Sequence, residues 1–161
     1  MTELDALWAE MIAAAAENAT GDAAAFLRLR AANDKLRTAG VGWLIDSMIA
    51  VAQADLIREL IVERDEPHSF REGNSNLVGT RLTLRQGVRC LSVEAGWTRT
   101  PSDGIMRGGA LAAARLSHFG MPRNDELIRL AFDRKMPHWI TADGSRFELA
   151  DCRRHFEIFL G

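Results

Sequence analysis

Apolar positions recur along the first third of the chain at helical spacing. Leu4, Leu7, Trp8, Met11, Ile12 and Ala15 mark one face of an amphipathic helix, with Thr2 and Asp5 arranged as an N-terminal cap. Asn18 to Gly21 breaks that pattern, and Thr20 is placed to cap a second helix running through Phe26, Leu29, Ala32, Asn33 and Leu36. Gly40 and Gly42 stand where a helix C-terminus wants a left-handed residue. The pattern then predicts a third helix from Val41 to about Arg64. Leu44, Ile45, Met48, Ile49, Val51, Ala52, Leu56, Ile57, Leu60 and Ile61 cover well over half of its circumference. A stripe that wide calls for cover on two sides. One side can pack on the first two helices. The other needs the C-terminal half or a second copy of the chain.

Pro67 and the polar run from His68 to Asn76 read as a linker. Beyond it the period changes to two. Leu77 to Arg85 and Val88 to Trp97 flank Gln86-Gly87, a two-residue hairpin turn with Gly supplying positive φ. That register pairs Leu82 with Leu91, Thr80 with Val93 and Val78 with Ala95 on one face. It leaves Arg81 and Glu94 as diagonal ion-pair neighbours on the other. Ala110 to Phe119 alternates modestly, and Glu126 to Phe132 suits a strand or a short helix. His138 to Thr141 and Arg146 to Leu149 flank an Asp143-Gly144 turn. Phe156, Ile158 and Leu160 alternate as a last strand, after a helical turn at 151–154. The expectation is an α+β protein: about three N-terminal helices (an acidic region, 1–66), a linker (67–76), and a basic antiparallel β domain (77–161) forming a sandwich or partial barrel.

Charge sharpens this division. Residues 1–66 hold twelve acids and six bases, and residues 67–161 hold ten acids and fourteen bases. Residues 71–123 carry eight arginines against Glu72, Glu94 and Asp103, with no lysine. The chain as a whole is near neutral, at −2, and 47% hydrophobic, which excludes a disordered or low-complexity protein and any strong whole-molecule field. The apolar run 41–62 is interrupted by Asp46, Gln53, Asp55, Arg58 and Glu59, too many polar groups for a membrane span. The first residues carry acids where a secretion signal needs bases, so a cytoplasmic location is expected. Cys90 and Cys152 are far apart and form no metal-ligand pair.

Candidate chemistry is sparse. The segment 98–109 is long for a hairpin connection and holds Arg99, Ser102, Asp103, Arg107 and the Gly108-Gly109 pair, which together could cradle an anion. With Arg81, Arg85 and Arg115 on the strands, these residues are the expected binding surface. The expected function is a non-catalytic interaction or regulatory protein. It forms a homodimer or larger assembly through its helical region and offers an arginine-rich β face to an acidic protein partner, with no cofactor and no membrane contact. Nucleic acid is the first alternative partner, although Tyr is absent and no recognised nucleic-acid-binding signature occurs. A small enzyme is the second, built from His118, His138 or His155 with Asp103, Asp143 or Glu94, but no motif spacing demands it.

Overall fold

A computed structural model describes residues 2–17, 21–133 and 136–161. The protein is α+β. Two N-terminal helices, α1 (Glu3–Glu17) and α2 (Gly21–Ala54), precede seven strands and a last helix, α3 (Leu149–Leu160). The strands are β1 (Ile61–Glu72), β2 (Ser75–Gln86), β3 (Arg89–Trp97), β4 (Ala112–His118), β5 (Glu126–Asp133), β6 (Met136–Ile140) and β7 (Arg146–Phe147). They form one antiparallel sheet in sequential order, open rather than closed into a barrel, and not a sandwich of two sheets. The chain divides into two compact units, residues 1–36 and 37–161. This boundary lies inside α2, not at the 67–76 segment.

In the first unit, the Thr2–Asp5 cap forms as the sequence predicts. The Thr2 amide and hydroxyl donate to Asp5 Oδ2 at 3.0 and 2.7 Å, and the Asp5 amide donates to Thr2 Oγ1 at 3.2 Å. The expected Thr20 cap lies outside the described residues. The Arg30 guanidinium lies 4.5 Å from the Trp8 ring centre, joining α1 to the start of α2.

In the second unit, α2 runs through Gly40 and Gly42 without ending. Gly40 serves a close approach rather than termination. A Cβ there would stand 2.5 Å from Leu130 Cδ2, and the Gly40 carbonyl accepts a bond from Trp139 Nε1 at 2.9 Å. Tertiary packing overrides propensity at this point. The rod 41–54 finds its cover within its own unit. Val41, Leu44, Ile45, Met48, Val51 and Ala52 are buried. The helix stops at Ala54, ten residues short of the expected end. Ile61 and Val62, read as its last turn, open β1 instead, opposite Arg85 and Leu84.

The expected linker is part of the sheet. Residues 67–72 complete β1, and the chain turns through Gly73 (φ 59°) into β2. Pro67 sits at the register shift between Asp65 and His68 on an edge strand, where a residue with no N–H is tolerated. The β2–β3 hairpin forms two residues away from the expected register. Leu82 faces Val93, Leu84 faces Leu91, and Gln86 faces Arg89, so the turn is Gly87-Val88 with Gly87 at φ 59°. A shift of two keeps every side chain on its expected face. The Asp143-Gly144 hairpin forms as expected, with Asp143 accepting from Thr141 Oγ1 and, at 2.9 Å, from the Ser145 amide.

The expected last strand is a helix. Cys152, His155, Phe156 and Phe159 are its buried face, at spacings of three, four and seven. The Glu148 amide donates to Asp151 Oδ2 at 2.8 Å and caps its start. The apparent alternation at 156, 158 and 160 misleads because Ile158 and Leu160 are only half-buried.

One face of the sheet carries Leu82, Leu84, Leu91, Val93, Ala95, Ala112, Ala114, Leu116, Ile128, Leu130 and Trp139, all buried. The helices of this unit lie on that face, with α3 against β3 and β7. The opposite face is concave. Glu72 of β1 meets Arg129 of β5 at 3.3 Å, and Arg115 of β4 donates to the Arg71 carbonyl at 3.0 Å. Four strand spacings in a flat sheet would separate β1 from β5 by about 19 Å. The sheet therefore curls until its first strand overhangs its middle.

Candidate functional site

The concave face bears a charged row set by register: Asp65, Arg81, Glu94 and Arg115 stand opposite one another on β1 to β4. Arg81 donates to Asp65 Oδ2 from Nε and Nη2 at 3.1 and 2.8 Å, and this bond raises the guanidinium's affinity for its proton. Glu94 lies directly across from Arg81 rather than diagonally. Its short contact is with His68, Nε2 to Oε2 at 2.6 Å, and the His68 ring stacks on Phe70 with centres 5.9 Å apart. Arg129 completes the set on buried Glu72. Phe70, Leu77 and Ala113, covered by Met106, close one end of the concavity.

The 98–109 segment folds onto that end. Arg99 Nη2 donates to the Val78 carbonyl at 2.9 Å, with its guanidinium 3.9 Å from the Trp97 ring centre. Asp103 Oδ2 accepts from the Thr100 amide (3.0 Å), the Arg99 amide (3.2 Å) and the Thr100 hydroxyl (3.1 Å). These bonds, the Thr100 amide's first among them, hold the Asp103 carboxyl below its ordinary range. Ser102 Oγ shares a bond with Thr100 Oγ1 at 2.8 Å. Arg107 lies along Gly73, where a Cβ would meet its Nη2 at 2.9 Å. Of the seven residues expected to bind, Arg81, Arg85 and Arg115 thus share the concave face, with Arg85 exposed at its far end. Arg99, Ser102 and Asp103 are built into the folded loop.

The histidines expected of an enzyme fall elsewhere. His118 on β4 and His155 on the buried face of α3 are both buried and hydrogen-bonded to each other, Nε2 to Nδ1, at 2.8 Å. The carboxylate they reach is Glu126, 2.7 Å from His155 Nε2, and not Asp103, Asp143 or Glu94. His138 Nδ1 lies 3.5 Å from the Met136 carbonyl. Cys152 is inert as a nucleophile, since burial pushes its thiol up to about 12. A groove of about 300 Å³ lies between the end of α2 and α3, floored by Val51, Ala54, Leu149 and Phe156 and rimmed by Asp55, Arg153 and Glu157. Among the described residues, no group of three or more His, Cys, Asp or Glu side chains is placed to hold a metal, and no helix is long and apolar enough to cross a membrane.

Three features escape a linear reading. His68 falls in the supposed linker, Glu126 is separated from its histidine partner, His155, by strand and loop, and exposed apolar surface is densest nearer the N-terminus than the 41–64 stripe suggests. Although Leu56, Val88, Ile105 and Phe119 are exposed in the second unit, it is densest in the first. Leu4, Leu7, Met11, Ile12, Phe26 and Leu29 are each 52–61% exposed, and Leu27 is the one buried apolar side chain described there.

No protein-family model matches this chain, and neither a curated protein nor a solved structure matches it.

Proposed function

We propose that this protein is a self-associating interaction module whose N-terminal helical hairpin pairs with the hairpin of a second copy. The observation that carries the reading is the exposure of six large apolar side chains on residues 4–29. A two-helix unit of 36 residues lies below the size at which a chain buries enough surface to stand alone. The spacing supports a helical seam. Leu4, Leu7 and Met11 on α1, and Phe26, Leu29, Asn33 and Leu36 on α2, alternate three and four apart. A single polar Asn33 in such a seam fixes register.

Charge argues for a second copy as the occupant. Helix α1 holds Glu3, Asp5, Glu10 and Glu17 and no base. Residues 21–37 hold Arg28, Arg30, Lys35 and Arg37 against Asp22 and Asp34. A two-fold arrangement sets the acidic helix of each copy along the basic segment of the other, giving the same complementary contact twice. Covering the exposed half of each apolar side chain is worth roughly 1 kcal/mol.

An acidic partner on the arginine face draws weaker support, because Arg81, Arg99, Arg115 and Arg129 already lie on acceptors within the chain. A nucleic-acid partner would use the same face. Its binding would weaken steeply with salt, and Arg85→Ala with Arg107→Ala would flatten that slope.

Light scattering on the eluting full-length chain tests the main reading. A mass of twice 17.8 kDa is expected, falling to one chain in a Leu7→Ser/Leu29→Ser variant that keeps its β signal by circular dichroism. A wild-type monomer at high concentration contradicts it.

A further inference from the structure

Beneath α3 lies a chain of hydrogen bonds with a defined direction. Glu126 Oε1 is 2.7 Å from His155 Nε2, and His155 Nδ1 is 2.8 Å from His118 Nε2. A carboxylate only accepts, so His155 donates from Nε2 and presents a bare Nδ1. That nitrogen accepts, so His118 donates from its own Nε2. The chain ends at His118 Nδ1, which is buried and without a partner. The backbone holds the assembly from both sides: the His118 amide donates to Asp125 Oδ1 at 2.7 Å, and His155 is fixed about two turns along α3 from its capped start. The two rings stack with centres 5.1 Å apart, and Phe147 of β7 lies against His155.

We propose that the Glu126–His155–His118 chain is a proton-operated latch, which holds α3 on the sheet while both rings are neutral and releases it when they take up protons. Counting N–H groups gives the mechanism. The neutral pair has two, and both are used. A third must sit on His118 Nδ1, whichever ring carries the charge, and there it has no acceptor. A fourth would set two N–H groups against each other across the 2.8 Å contact and break it. The latch therefore tolerates one added proton poorly and a second not at all.

The surroundings favour the neutral state. On α3, Arg154 ion-pairs with Glu126 at 3.0 Å and Asp151 at 3.5 Å, placing a cation beside both rings. Cys152 is the other ionisable group on that buried face, and it stays neutral. From the β4–β5 connection and β5 come the anions Asp125 and Glu126. From β3, Leu91 stands opposite His118, and Arg89 lies at the far end of α3 on the Phe159 carbonyl at 3.4 Å. Phe147 supplies only a ring. Burial is the largest influence on both imidazoles and pushes each below its ordinary value, although Glu126 opposes this at His155 and Asp125 at His118.

Hydrogen exchange on the full-length chain between pH 8 and 5, corrected for intrinsic rates, tests the latch. Protection of α3 should fall more than tenfold per pH unit at its steepest, the signature of more than one proton, and should stay below that of the β2–β3 amides, because α3 opens without the sheet. His155→Gln keeps a hydrogen-bonding side chain without a titrating ring, and should reduce that slope to tenfold or less. Protection of α3 equal to that of the β2–β3 amides at every pH, or an unchanged slope in the variant, would overturn the proposal. Imidazole ¹⁵N spectra of the wild type at pH 8 are independent of how the variant folds. Both rings should be Nε2–H tautomers, and an Nδ1–H tautomer at His155 would equally sink it.

Discussion

The two units of this chain use similar apolar residues to opposite ends. Residues 37–161 turn most of theirs inward onto a sheet, and side chains as large as Trp139, Leu44 and Leu116 lose all or nearly all contact with solvent. Residues 1–36 line theirs along helices and leave six of them more than half exposed. The sheet unit has a second layer to pack against, and the hairpin, taken by itself, has none. Apolar periodicity states that a face needs cover. It does not state which part of which chain supplies it.

The largest predicted effect sharpens this contrast. Trp139→Ala removes a buried ring and its bond to the Gly40 carbonyl, and should cost about 3–5 kcal/mol in urea unfolding. Leu7→Ala, measured in dilute protein, should change unfolding of the sheet unit by no more than about 0.5 kcal/mol. Equal costs would break the distinction. A smaller test lies within α2. Gly40→Ala drives a methyl into Leu130 and should cost about 1–3 kcal/mol. Gly42→Ala meets nothing within 4 Å and should stabilise by up to about 1 kcal/mol through helix propensity.

Acidification should separate the units as well. All four histidines lie beyond residue 36. His118 and His155 are held neutral by burial, with affinities for protons below the ordinary 6.5. The unfolded chain therefore takes up protons first as pH falls. Stability of the sheet unit should be full above about pH 6.5 and decline through the folded values below it. Denaturant melts from pH 8 to 5 would show this, and His155→Gln should lessen the decline. The smallest effect is at the N-terminus. Thr2→Ala removes one partner of the cap and should fray α1 by about 1 kcal/mol, seen as faster amide exchange in its first turn, with no change in sheet melting.

Local chemistry was the legible part of the sequence. The Thr2–Asp5 cap, the Asp143-Gly144 turn and the faces of the β2–β3 hairpin each depend on residues within a few positions of one another. Turn choice was less legible. Gly87 serves Gln86-Gly87 and Gly87-Val88 equally well on paper, and the chain uses the second. What could not be read depends on distant partners. Gly40 looks like a stop until Leu130 and Trp139 are placed beside it. Pro67 and its polar neighbours look like a linker until β2 pairs with them. His155 reads as one member of an alternating strand until Glu126 and His118 meet it from the sheet. The candidate sites share this property, since both the concave charged row and the buried histidine chain are assembled by strand register.

The central claim is that residues 3–36 are covered by another copy. Amide exchange of α1, followed across a hundredfold range of protein concentration, tests it most directly. Protection in α1 should rise with concentration while that of β2 and β3 stays constant. Protection in α1 that is the same at both ends of the range would contradict it.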